Sequence, residues 1–133
     1  MVPPEDVETM RHAYEAFNQG DIPGALSAFD AQIEWHEPGG GNAPAGTFHG
    51  TDSVTTDVFA IIPVNFTEFR ADPERFIADA AGYLAVVGTF HGRGTGGQQL
   101  EAPFVHVWEM RNGKAVRFHN HVEAVDWRQG WGG

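Results

Sequence analysis

The sequence predicts an α+β fold in which helices come first and a sheet follows. Three observations carry this reading. Through the first part of the chain apolar residues recur at three- and four-residue steps, the period of a helix with one buried face. From Phe66 onward they run in long stretches rich in β-formers. Between the last two such stretches stands Asn112-Gly113, the dipeptide most diagnostic of a tight hairpin. Helices followed by a meander of long strands pack with the helices on one face of the sheet.

Glu5 to Gln19 reads as the first helix, with Val7, Met10, Tyr14 and Phe17 on one face. Pro3 and Pro4 precede it and Gly20 ends it. Asp21 then caps a short second helix whose stripe is Ile22, Ala25, Leu26 and Phe29. From Ala31 to Glu37 the period changes to alternation, with Ile33, Trp35 and Glu37 on one side of a strand. Pro38 to Pro44 is too rich in Gly and Pro to continue it and reads as a loop. A third helix carries Val54, Val58, Phe59, Ile61 and Ile62, capped by Thr51 or Asp52 and stopped by Pro63. Phe66 to Ala78 reads as a strand that Pro73 confines to an edge or a bulge. Tyr83 to His91, Gln99 to Met110 and Ala115 to Asp126 read as further strands, and Trp127 to Gly133 as a loose tail whose tryptophans dock on a partner subunit.

With 133 residues the chain fits the usual size of one domain, ~100–150 residues. Apolar residues make up 41%, with 10 Phe and 4 Trp, which is enough to build a core and excludes disorder. The count of cysteines is 0, which excludes disulfides, thiolate nucleophiles and Cys-ligated zinc. Eight Lys and Arg against 18 Asp and Glu give a net charge of −10, so neither nucleic acid nor an anionic membrane is an expected partner. The opening MVPPEDVETM is acidic where a secretory signal is basic and then apolar, and a cytoplasmic location is expected.

Several side chains have the chemistry of a site. Glu37 shares its strand face with Ile33 and Trp35; if that face is the interior, desolvation raises its pKa towards that of a useful base. The other reading is a strand-end glutamate reaching solvent, and spacing alone does not choose between them. Asn120 lies on an apolar face with Phe118 and Val122, where it either holds a ligand or is a satisfied core amide. Tyr14, on the buried stripe of the first helix, either polarises a carbonyl or packs with its hydroxyl at the edge. His119, His121 and Glu123 share a face of the last strand with His106 on the strand beside it; without a supporting ligand set this reads as a polar outer face, and no metal is expected. Gly92-x-Gly94-x-Gly96 precedes a strand instead of a helix and reads as a hairpin connection, not a phosphate loop.

The series Tyr14-Glu15-Ala16-Phe17-Asn18-Gln19-Gly20-Asp21 and Ile33-Glu34-Trp35-His36-Glu37-Pro38-Gly39-Gly40 resembles ketosteroid isomerase-like and SnoaL-like proteins of the NTF2-like superfamily. Gly46 to Asp52, Ala102 to Trp108 and Arg111 to Lys114 continue the resemblance in matching order over nearly the whole chain. It implies a cone of curved sheet around helices, an apolar cavity and a homodimer. It places the carboxylate base of the steroid isomerases at Glu37, before Pro38, but puts their oxyanion donors at Ala13 and Val105. Steroid isomerisation is therefore not expected. Epoxide hydrolysis is not expected either, because the places of its tyrosine, asparagine and charged set hold Trp35, Glu37, Asn120, Val86, Gly88 and Phe90. It also implies that His106, His119 and His121 point away from the cavity.

The expectation is thus a cofactor-independent isomerase, cyclase or lyase acting on a small hydrophobic carbonyl compound, with a ligand-binding or interaction module as the alternative. Glu37 is the expected base, with Tyr14 or Asn120 holding the oxygen. Phe17, Trp35, Phe59, Ile62, Phe69, Val86, Val105 and Phe118 are the expected walls.

Overall fold

The computed structural model describes residues 2–133. The chain begins with α1 (Pro4–Asn18) and α2 (Ile22–Leu26), followed by β1 (Phe29–Pro38) and β2 (Ala45–His49). A helical stretch follows: α3 (Gly50–Asp57), a 3-10 turn (Phe59–Ile61) and α4 (Ile62–Asn65). The rest is β3 (Phe66–Ala78), β4 (Tyr83–Gly94), β5 (Gln99–Arg111), β6 (Lys114–Val122) and a closing α5 (Ala124–Trp131). The fold is α+β: the strands form one curved sheet in the order β2-β1-β6-β5-β4-β3. Every neighbouring pair is antiparallel except β1 and β6, which run parallel because the intervening chain crosses over the sheet.

Local chemistry explains most elements. Pro4 starts α1, where its missing N–H costs nothing, and Glu5 and Asp6 complement the positive end of the helix dipole. At its other end Asn18 donates to the Ala71 carbonyl (2.9 Å) and accepts from the Ala71 N–H (2.8 Å), so one side chain pairs like a strand with the free edge of β3. Asp21 accepts from the Gly24 N–H at 3.0 Å and caps α2. Asp21→Ala is expected to cost about 1 kcal/mol in urea unfolding, with no loss of the fold. Pro73 sits on the edge strand β3 next to a bulge, where no ladder bond is lost. Asn112 and Gly113 both have positive φ, 53° and 78°, which gives the β5–β6 turn the twist that a two-residue hairpin requires.

Four elements differ from the sequence expectation. The loop after β1 is shorter, because Ala45–His49 folds back as β2 and pairs with β1 from Glu34 to Pro38. The third helix is broken at Val58, and Pro63 stands in the first turn of α4 instead of stopping a helix. β4 runs on to Gly94, so part of the glycine-rich connection is strand. The last strand ends at Val122 and the expected tail is helix α5, packed on β5 and β4. Its Trp127 and Trp131 are 3% and 2% exposed, so they cover this chain's own core and have no apolar face left for a partner.

The core lies on the concave side of the sheet. Trp35, Trp108 and Phe118 pack ring against ring there, with Phe118 3.9 Å from Trp35 and 4.4 Å from Trp108 between centroids. Among the described residues no helix is long and apolar enough to cross a membrane.

Candidate functional site

Alternation along the strands decides which side chains reach the concave side. β1 contributes Trp35 and Glu37, β6 Phe118 and Asn120, β5 His106 and Trp108, and β4 Phe90. Met10, Ala13, Tyr14 and Phe17 of α1 cover these from one side; Val58, Phe59 and Ile62 cover them from another, and Trp127 and Trp131 of α5 from a third. Together they enclose a cavity of about 70 Å³, room for roughly five waters or a small ring. Phe17, Phe59, Ile62 and Phe69 also line an outer cleft beside α1 and α2, so they form the wall between cavity and solvent.

Glu37 is half-buried as a residue, but its carboxyl group lies deep among protein atoms. One oxygen accepts from Trp35 Nε1 at 2.7 Å and the other from Asn120 Nδ2 at 3.0 Å. Burial pushes its pKa up to about 7, against these two hydrogen bonds, which pull it down. The result is a carboxylate that holds or releases a proton near neutrality.

A second polar chain runs across the cavity. Trp108 Nε1 donates to the Tyr14 hydroxyl at 3.0 Å, which leaves the phenol proton to be donated to His106 Nδ1 at 2.7 Å. Burial raises the Tyr14 pKa and keeps the phenol protonated. Burial also pushes His106 down to about 3; the adjacent Asn120 acts the other way. The ring is therefore neutral, and with Nδ1 accepting, its proton is on Nε2. That Nε2 and Asn120 Oδ1, both buried, face each other across the β5–β6 pair without a well-formed hydrogen bond, and neither has another partner among the described residues. A buried neutral imidazole and a carboxylate of pKa about 7 thus put a hydrogen-bond donor and a proton acceptor in one cavity.

Of the residues expected at the site, Glu37, Tyr14, Asn120, Phe17, Trp35, Phe59, Ile62, Phe69 and Phe118 line the cavity. Val105 and Val86 do not. Val105 is 37% exposed and points outward, and Val86, fully buried, packs in the core away from the cavity. The residue of β5 that faces inward is His106, contrary to the expectation that it points away. Alternation along β5 is unbroken from Leu100 to Met110, so His106 shares the inward face with Phe104 and Trp108. Its partner strand β6 carries a bulge. Arg111 pairs with Lys114 and Met110 with Ala115, but Glu109 pairs with Arg117, so the register slips by one residue at Val116. Beyond the bulge the parity of β6 changes, so Phe118 and Asn120 face inward and Asn120 instead of His119 lies opposite His106.

His106, Trp108, Phe90, Trp127 and Trp131 were not expected at the site. The signal for the first two was the alternation itself: Phe104, His106 and Trp108 carry the large rings on one side of β5, with Pro103, Val105 and Val107 on the other. His36, His119 and His121 are stacked on the outer face, and both His36 ring nitrogens are engaged, by Glu34 at 2.6 Å and Thr47 at 3.0 Å. No group of three or more His, Asp or Glu side chains that could hold a metal occurs among the described residues.

Comparison with known proteins agrees with this architecture. The family model described as SnoaL-like domain matches residues 10–118. An NTF2-like protein of unknown function from Burkholderia pseudomallei is 33% identical, with 92% of this chain and 94% of that chain covered and a TM-score of 0.84. TerC, crystallized with polyporic acid, is 30% identical over 90% of this chain and 92% of that one, with a TM-score of 0.82. Bal32a, from a soil-derived mobile gene cassette, is 25% identical over 96% of each chain, with a TM-score of 0.86. No curated protein matches the chain.

Proposed function

The chain belongs to the SnoaL-like family of the NTF2-like superfamily, and we propose that it is a cofactor-independent enzyme that moves a proton α to the carbonyl of a small hydrophobic compound. The observation that carries this reading is Glu37, a carboxylate with a pKa of about 7 in a cavity lined mainly by aromatic rings. In the step proposed, Glu37 takes the α proton. The C–H electron pair becomes the carbon–carbon double bond, and the carbonyl π pair moves onto oxygen. Glu37 then returns a proton to carbon. Trp35 and Asn120 hold the carboxylate in place, and His106 Nε2–H is the donor for the oxygen on which charge develops. Tyr14 is a positioning residue, because its hydroxyl is already engaged by Trp108 and His106. The co-crystallization of the relative TerC with polyporic acid supports a small organic ligand for this chain.

The test is solvent deuterium incorporation into cyclic ketones such as 1-tetralone, followed by NMR across pH. The base must be ionised to act, so the rate is expected to rise with pH through about 7 and then level off. Incorporation no faster than in buffer across the ketone panel overturns the proposal. A second reading, a binding protein without turnover, is favoured by one feature: both Glu37 oxygens already accept a hydrogen bond. Under that reading the ketones bind and no deuterium is incorporated.

A further inference from the structure

The proposed chemistry occupies one end of the cavity and leaves two buried polar groups unused. Trp127 and Trp131 line the cavity from successive turns of α5, and neither indole N–H has a hydrogen-bond partner among the described residues. They are 3% and 2% exposed, so bulk water does not serve them. A buried N–H left unpaired costs free energy comparable to a lost hydrogen bond, and such groups are rare in folded proteins. Two on one helix face, both on residues lining the same cavity, call for an acceptor. Protein atoms do not supply it.

The Phe90 ring packs against both His106 and Trp127, at 5.3 and 4.7 Å between centroids. His106 and the indoles reach the cavity from different elements, β5 and α5. The lining holds no Lys or Arg, and its one carboxylate is Glu37, so a negatively charged group finds no cation there. A neutral acceptor fits: a carbonyl or ether oxygen.

We propose that the ligand of this cavity is a flat apolar ring compound with two separated neutral acceptor oxygens, one held at the Glu37–His106 end and the second by the indole N–H groups of Trp127 and Trp131. Diketone-like compounds with a C–H beside the carbonyl at the Glu37 end belong to this class; a monoketone makes only the first of the two contacts, and a quinone serves as an unreactive binding probe. The inference rests on the proposed function for the carbonyl at the Glu37 end; the second oxygen rests on the indoles alone. Any water the indoles bind in the free protein is displaced on binding, and a ligand without the second oxygen cannot replace those bonds.

The test is isothermal titration calorimetry with two fused bicyclic probes of nearly equal size, 1,4-naphthoquinone with two carbonyls and 1-tetralone with one. The chain has 0 cysteines, so thiol addition to the quinone does not interfere. Naphthoquinone is expected to bind roughly tenfold more tightly than tetralone. Trp127→Phe and Trp131→Phe, which keep a ring in the core, are each expected to remove part of that preference. Combined they remove it, read as the ratio of the two affinities measured on the same variant, with thermal melting confirming the fold. Equal affinities in the natural protein overturn the inference, as does a loss in the variants that falls alike on both probes. The natural-protein comparison stands even if a variant fails to fold. Failure of the two proposals is distinguishable. Deuterium exchange with no probe preference removes only the second oxygen site, and a retained preference without exchange removes only the catalysis.

Discussion

Glu37→Gln is expected to lower the exchange rate by roughly 10²–10⁴-fold, the usual contribution of a positioned general base. The glutamine amide has the shape of the carboxyl group but cannot take a proton at neutral pH. It can still accept from Trp35 Nε1, and Asn120 can turn its amide so that Oδ1 meets the new N–H; local structure is therefore retained. The same substitution is expected to stabilise the protein at alkaline pH. The carboxyl group titrates at 4.5 in its ordinary state and at about 7 in the folded chain, so between these values the folded form binds more protons than the unfolded form. Its contribution is most favourable below 4.5 and is lost as pH rises through about 7. Allowing for the half-buried position of Glu37, the ionised group costs about 1–3 kcal/mol above that range. Urea unfolding at pH 8 is thus expected to show the variant more stable than the natural protein, with the difference shrinking towards pH 4. A difference independent of pH means the carboxyl group is not desolvated. One substitution that abolishes activity and adds stability marks a group held in an unfavourable place for its chemistry.

Phe118→Ala is expected to cost about 3–5 kcal/mol, the range for removing a large ring from a filled core. Phe118 is 2% exposed and touches the rings of Trp35, Trp108 and His106, with centroid separations of 3.9, 4.4 and 4.8 Å. No single neighbour can collapse into the space, because each is held elsewhere: Trp35 by Glu37, Trp108 by Tyr14, and His106 by Tyr14. Against a typical total stability of roughly 5–15 kcal/mol, the shift is a large fraction and is read from the urea midpoint at unchanged slope. A loss under about 1 kcal/mol shows that the core closes over the gap, and then the cavity walls are softer than the ring packing implies.

Local elements were legible because their causes are local. The Asp21 cap, the Asn112-Gly113 turn and the edge position of Pro73 each follow from one or two residues and their bonding capacity. The helical face of Met10, Tyr14 and Phe17 follows from period alone, as does the shared face of Trp35 and Glu37 on β1. The β2 strand was hidden because Ala45–His49 is exposed apart from Phe48, which is half-buried, and it has no alternating pattern of its own. The α5 helix was hidden for another reason. Its stripe is only Trp127 and Trp131, too few positions to establish a period.

By itself the sequence determined that helices precede a sheet, the turn chemistry at Asp21 and Asn112-Gly113, and the presence of one carboxylate on an apolar strand face, but not β2 or α5. These depend on interactions between residues close in the chain. Only the tertiary structure decided that His106 faces Asn120 and that Trp127 and Trp131 close the cavity, because both depend on how distant segments are brought together. A single bulge residue on β6 changes which of its residues look inward, and so sets Asn120 instead of His119 opposite His106. The pKa of Glu37 near 7 has the same origin: the carboxyl group is desolvated by burial in a cavity whose other walls, including Asn120 of β6, come from segments distant in the sequence.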